Sequence, residues 1–249
     1  MATSSERAAS FGGVAEEYDR LRPSPAPEAV DWLLPANCSV AVDVAAGTGL
    51  FTRALLDRVP HVIAVEPDSR MRAVLASRSP DLVVLDGVGE AIPLEDGSAD
   101  AVCVSSAWHW MDPDRAVPEI ARVLRPGGRF AVIWTSRDRE VDWVRELDGI
   151  HGTETADPVV RDHRRHREVI VEDGLFTGIE RASFGFTRRM RIEDVLGMLT
   201  TYSGFITADR SEQQAVLDRA RAVLAARFPA AGEIDVPTRS WCWRADRAS

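Results

Sequence analysis

The sequence predicts an α/β protein whose mostly parallel sheet is covered by helices on both faces. The stretch Val40 to Thr52 (VAVDVAAGTGLFT) runs from a short β-branched, apolar segment into Gly47-Thr48-Gly49. It resumes as a helical pattern at Leu50, Arg53, Ala54, Leu55 and Leu56. Further apolar runs at His61–Glu66, Leu82–Leu85, Ala99–Val104 and Phe130–Thr135 alternate with helical patterns, the rhythm of a parallel sheet with crossover helices.

At the start of the chain, Phe11, Val14, Tyr18 and Leu21 fall at helical spacing within Glu6–Arg22, followed by Pro23, Pro25 and Pro27 and a helix at Glu28–Leu34. Val40–Val44 reads as a buried strand, and the turn after it as a nucleotide site. Glycine permits a sharp turn and close approach of a ligand to backbone, and the next helix points its N–H ends at the same spot. Asp43 is a carboxylate inside an apolar strand and needs hydrogen bonds or a cation. Thr52 stands where a dinucleotide fingerprint would have its third glycine. The second strand ends in Glu66, placed to reach a ribose hydroxyl. Asp43 repels a phosphate and suits an ammonium, which S-adenosylmethionine has and NAD lacks.

Pro67 stops the second strand, and Asp68 is placed to cap a helix to Ser77. Met71, on its first turns, either packs on an adenine face or belongs to the core. The third strand runs into Asp86-Gly87-Val88-Gly89-Glu90, where Glu90 is a candidate turn cap. The fourth delivers Ser105-Ser106-Ala107-Trp108-His109-Trp110 at the ligand end of the sheet. Aromatic faces stabilise a sulfonium, so Trp108 and Trp110 are candidate substrate contacts. His109 is a candidate base or substrate contact; the alternative is packing for the tryptophans and a backbone bond for the histidine. Asp112 and Pro113 begin a helix to Leu124, and Arg125-Pro126-Gly127-Gly128 precedes the fifth strand. Beyond it, helices are expected at Val141–Ile150, Ile192–Tyr202 and Glu212–Arg227. Strands are expected at Phe176–Thr187 and Val236–Arg244, and Arg161–Arg167 is a basic run.

The 249 residues suit one α/β domain, or a core with a cap, and 45% hydrophobic content can bury a sizeable interior. No apolar stretch approaches the roughly 20 residues needed to cross a bilayer, and MATSSERAAS lacks a signal peptide's apolar centre. A cytoplasmic protein with no membrane partner is expected. Cys38, Cys103 and Cys242 match neither a disulfide framework nor a metal spacing. A net charge of −9 argues against nucleic acid. All 30 basic residues are arginine, which removes Schiff-base chemistry on a lysine.

VDVAAGTG, VEPD at Val65–Asp68, GEAIPLEDGSADAV at Gly89–Val102 and RVLRPGGRFAVIW at Arg122–Trp134 together resemble the class I S-adenosylmethionine-dependent methyltransferases. SSAWHWMD at Ser105–Asp112 and the leader FGGVAEEYDRLRP are similar to the small-molecule branch with trans-aconitate methyltransferase-like proteins. The resemblance implies a Rossmann-like sheet of seven strands, the last two an antiparallel hairpin. It also implies one domain, with a lid and linker to residue 36, a cofactor core over 37–137, and cap insertions with C-terminal strands over 138–249. Asp138–Arg167 and Ile192–Ile206 would form the cap. Cofactor contacts would come from Asp43, Ala45, Gly47, Gly49, Glu66, Pro67, Met71 and Ser105, with backbone at Val88 and Gly89 on the adenine edge. Tyr18 and Arg22 would close on the methionine end or on an acidic substrate.

The implied reaction is in-line methyl transfer to an oxygen of a small molecule, a carboxylate or hydroxyl. Alternatives are an adenosylmethionine-binding protein without transfer, a nicotinamide-dependent oxidoreductase, and a protein, nitrogen or carbon methyltransferase. No motif names the acceptor or the oligomeric state.

Overall fold

The structure, a computed structural model, describes residues 11–150 and 174–248. A 3₁₀ turn, Phe11–Val14, leads into α1 (Ala15–Leu21), and α2 (Pro27–Leu33) follows the proline linker. The core then alternates β1 (Val40–Val44), α3 (Leu50–Leu56), β2 (His61–Val65), α4 (Ser69–Arg78), β3 (Val83–Leu85), β4 (Ala99–Ser105), a 3₁₀ turn (Trp108–Trp110), α5 (Pro113–Val123) and β5 (Leu124–Arg137). The remainder is α6 (Asp142–Gly149), β6 (Phe176–Arg191), α7 (Ile192–Thr200), α8 (Ser203–Ile206), α9 (Arg210–Arg227) and β7 (Glu233–Arg247).

The sheet has seven strands in the order β3-β2-β1-β4-β5-β7-β6. The first five are parallel, while β7 inserts antiparallel between β5 and β6. Strand order reverses between β1 and β4, where an open α/β sheet leaves a crevice beyond its carboxyl ends. β1 shows why both faces must be covered. Val42 and Val44 pack with Ile120 and Phe130 on one side, Ala41 with Phe51 and Leu55 on the other, and all three β1 residues are inaccessible. Burying each valine contributes about 1.5–3 kcal/mol. A third cluster, with Leu21, Trp143, Leu147, Met198, Leu224 and Val236, joins α1 to the helices beyond β5.

Asp68 accepts from the backbone N–H groups of Arg70 and Met71 as the cap of α4, and Asp112 caps α5 ahead of Pro113. Several limits differ from the sequence reading. The leader helix starts at Ala15, because Gly12 and Gly13 sit in a 3₁₀ turn, and the third strand starts at Val83 rather than Leu82. The helix expected over Ile192–Tyr202 ends at Thr200; Thr201 and Tyr202 link it to α8. β5 and β6 extend past their apolar patterns because cross-strand pairing with β7 runs over polar residues, as at Arg137↔Thr238 and Arg189↔Asp235. The basic run Arg161–Arg167 and the expected start of the leader helix, Glu6–Ser10, lie outside the described residues.

Candidate active site

β1 ends in backbone that ordinary residues avoid. Ala45 has φ +56°, Gly47 +60° and Gly49 +87°, and Ser106, just past β4, has φ +55°. For alanine and serine the left-handed region costs about 1 kcal/mol or more each, strain that clusters at functional sites. The two glycines do different work. A Cβ on Gly47 would meet nothing within 4 Å, so its bareness keeps open the space in front of the turn. A Cβ on Gly49 would lie 2.1 Å from Leu75 Cδ1, so this glycine lets α3 pack against α4.

Asp43 is inaccessible. Its Oδ2 accepts from Thr52 Oγ1 at 2.6 Å, while Oδ1 has no protein partner. Burial, with a further push from Glu66, raises this carboxyl to about 7 against the Thr52 hydrogen bond. Thr52 thus occupies the place of the missing third glycine because its hydroxyl is needed by Asp43, a role that composition does not advertise. Thr48 Oγ1 is a second buried oxygen with no protein partner.

Glu66 ties the second strand to the turn. Its Oε2 accepts from Gly47 N–H and its Oε1 from Asp68 N–H, both at 2.8 Å. Each carboxylate oxygen keeps a lone pair for a further donor such as a hydroxyl. Burial raises the Glu66 carboxyl, and these two backbone bonds oppose the rise.

The turn opens on a cleft walled by Tyr18, Arg22, Pro23 and Pro25 on one side. Ala45, Ala46, Gly47 and Thr48 form its floor, and Ser105, Ser106 and Thr135 face it from β4 and β5. The wall from α1 is tied down by ions. Asp19 faces Arg53 Nη2 at 2.5 Å and Arg78 Nε at 3.6 Å, and Arg53 Nη1 also donates to the Thr48 carbonyl at 2.8 Å. Ala46, Thr48, Ser106 and Thr135 were not singled out in the sequence; only their position at strand ends marks them.

Of the expected site residues, the structure brings Tyr18, Arg22, Ala45, Gly47 and Ser105 to the cleft wall, with Asp43, Gly49 and Glu66 around the turn. Met71 is buried on α4, and Pro67 is exposed at the end of β2. Val88 is exposed and its carbonyl accepts from Ala91 N–H at 3.1 Å; a Cβ on Gly89 would strike Met111 Sδ at 2.5 Å. Glu90 accepts from Asp112 N–H at 2.7 Å, which fastens this loop to α5.

Trp108, His109 and Trp110 are not brought to the wall of the cleft. Trp108 is a core residue, 5.2 Å from Phe130 between ring centroids. The His109 ring packs 4.3 Å from Trp110 and 6.2 Å from Trp134, whose side chain leaves β5 on the face opposite Thr135.

The donor set fits the sulfonium nucleoside expected from the sequence. Two buried oxygens at the turn lack protein partners, the buried Asp43 carboxyl is ready for a cationic neighbour, and Gly47 leaves room for a ligand against backbone. Asp43 would take the ammonium and Glu66 the ribose hydroxyls, against the floor at Ala45–Gly47.

A methyltransferase-domain family profile matches residues 42–132, the span from β1 to β5. An uncharacterized methyltransferase of Mycobacterium tuberculosis is 44% identical over 216 residues, covering 87% of this chain and 86% of its own. One from Schizosaccharomyces pombe is 30% identical over 192 residues, covering 75% and 76%. A solved chain from Anaeromyxobacter dehalogenans, proposed there to be a type II methyltransferase, superposes with a TM-score of 0.73 at 24% identity, covering 91% of this chain and 97% of its own. With its seven-stranded sheet, its glycine turn and these relatives, the chain belongs to the class I S-adenosylmethionine-dependent methyltransferases.

Proposed function

We propose that this methyltransferase moves the methyl group of S-adenosylmethionine to an oxygen, carboxylate or hydroxyl, of a small molecule in the cytoplasm. The observation that carries the reading is the lining of the cleft, with the Arg22 guanidinium in its wall and hydroxyls at Ser105, Ser106 and Thr135 opposite. The net charge of −9 disfavours nucleic acid as acceptor. No helix among the described residues is long and apolar enough to cross a membrane.

The bound cofactor supplies a methyl group on a cationic sulfur and leaves as a neutral thioether. The chain's own residues then align and desolvate the partners, the main source of rate in such a transfer. Asp43 and Glu66 would hold the cofactor's ammonium and ribose, Ala45 and Gly47 would lay backbone against it, and Tyr18 and Pro23 would exclude water from above. A carboxylate acceptor is already ionised and needs only a cation such as Arg22 to hold it. A hydroxyl acceptor must lose its proton, and His109, the base expected from the sequence, packs on Trp110 and Trp134 away from the cleft wall, which favours the carboxylate.

Release of S-adenosylhomocysteine, measured with a panel of small carboxylic acids, phenols and alcohols, tests the reading. Turnover with an acid or hydroxyl acceptor supports it; turnover confined to amines, carbon acids or a protein refutes it.

A further inference from the structure

Arg22 is held without a counter-ion. Its Nε donates to Thr201 Oγ1 at 2.8 Å and its Nη2 to the Thr201 carbonyl at 3.0 Å. Its guanidinium carbon lies 3.9 Å from the Tyr202 ring centroid and 5.1 Å from that of Tyr18. All these holders are neutral, and no carboxylate among the described residues lies within ion-pair distance. Other arginines of the leader and core do have one, as in Arg20–Asp194 and Arg53–Asp19.

The holders are themselves fixed. Thr201 is inaccessible at the end of α7, and its hydroxyl proton is committed to the Met198 carbonyl at 2.7 Å, so a lone pair is left to face Arg22. Tyr202 lies beside the buried Arg137, which is paired with Asp148; its hydroxyl, 3.5 Å from Nη2, is at the limit of a hydrogen bond, so it is the ring that meets Arg22. Two adjacent residues of the cap therefore aim an arginine that lies 179 positions before the first of them in sequence. The partner rings and threonine oxygens restrain the guanidinium but leave its charge uncompensated in a half-buried wall of the cleft, where water screens it less. The guanidinium fork matches a carboxylate.

We infer that Thr201 and Tyr202 are positioning residues that present Arg22 as a carboxylate site in the cleft. The carboxylate is either the one on the amino-acid end of the cofactor or one on an acidic acceptor. The second source rests on the proposed acceptor class; the first needs only the cofactor.

Titration of four proteins separates the sources: wild type, Thr201→Val, Tyr202→Leu and Tyr202→Phe. The probes are S-adenosylhomocysteine, 5′-methylthioadenosine, which lacks the amino-acid end, and succinate added to protein saturated with S-adenosylhomocysteine. If the site serves the cofactor, Thr201→Val and Tyr202→Leu weaken S-adenosylhomocysteine about tenfold and leave 5′-methylthioadenosine unchanged. If it serves the acceptor, both nucleosides bind as before and succinate weakens about tenfold. In either case Tyr202→Phe, which keeps the ring, behaves as wild type.

The inference is overturned if the probes weaken together, if none weakens, or if Tyr202→Phe is as damaging as Tyr202→Leu. Should Tyr202→Leu not fold, a cycle of Thr201→Val with Arg22→Gln decides. The double variant is expected to bind no worse than Arg22→Gln alone, and additive losses overturn the inference. All these readouts are binding constants, so a failure to find an oxygen acceptor by product release leaves them interpretable.

Discussion

Asp43→Asn should make the ligand-free protein more stable while weakening its hold on the cofactor. The Asp43 carboxyl ionises near 3.8 when unperturbed and near 7 in the folded chain, first because of burial and then because of Glu66. Between those values the folded state keeps a proton that the unfolded state has released. Stability must therefore fall as pH rises through this window and level off above it. The full penalty, about three pKa units, is about 4 kcal/mol, of which about 3 kcal/mol is incurred between about pH 5 and about pH 8. The amide variant keeps an oxygen for the Thr52 hydroxyl and carries no titrating charge. Urea denaturation of both proteins across this range checks it: wild type should lose about 3 kcal/mol relative to the variant as pH rises. Parallel curves would show that Asp43 is not a strained carboxyl and would refute the reasoning. In the same series, S-adenosylhomocysteine affinity of wild type should increase with pH as Asp43 ionises, and that of Asp43→Asn should stay flat.

Other perturbations separate binding from folding. Glu66→Ala is expected to weaken S-adenosylhomocysteine about tenfold, about 1.4 kcal/mol, in calorimetric titration, and unchanged affinity would contradict its assignment to the ribose. Gly47→Ala places a methyl group in open space at φ +60°. It should cost only about 1 kcal/mol in stability while affinity falls much further. Gly49→Ala should do the reverse, because its Cβ meets Leu75 Cδ1 at 2.1 Å at φ +87°. A loss of about 2–3 kcal/mol is expected, partly restored by Leu75→Ala, and denaturation midpoints of the single and double variants test it.

The sheet was legible because its signals are local. β1 and the first residues of β2 and β4 coincide with apolar runs, and caps at Asp68 and Asp112 announce α4 and α5. The glycine turn and the acids at Asp43 and Glu66 could be located from spacing alone. What could not be read were partners made by tertiary contact. Thr52 looks like an ordinary helix residue until α3 packs it over Asp43. Trp108 looks like a ligand contact by its place after β4, yet the core beneath α5 needs its volume against Phe130. Arg22 carries the charge of any surface arginine in the sequence; only the chain's return through Thr201 and Tyr202 distinguishes it.

Arg53 joins the floor of the cleft to its wall. One nitrogen holds the Thr48 carbonyl in the turn, and the other holds Asp19 on α1. A ligand that shifted the turn would pull on the α1 wall through the same guanidinium, so floor and wall are expected to respond together. Half of that linkage is an ion pair, and its stiffness depends on salt. Raising ionic strength should shorten the residence time of the nucleoside product without changing the chemistry at the methyl group.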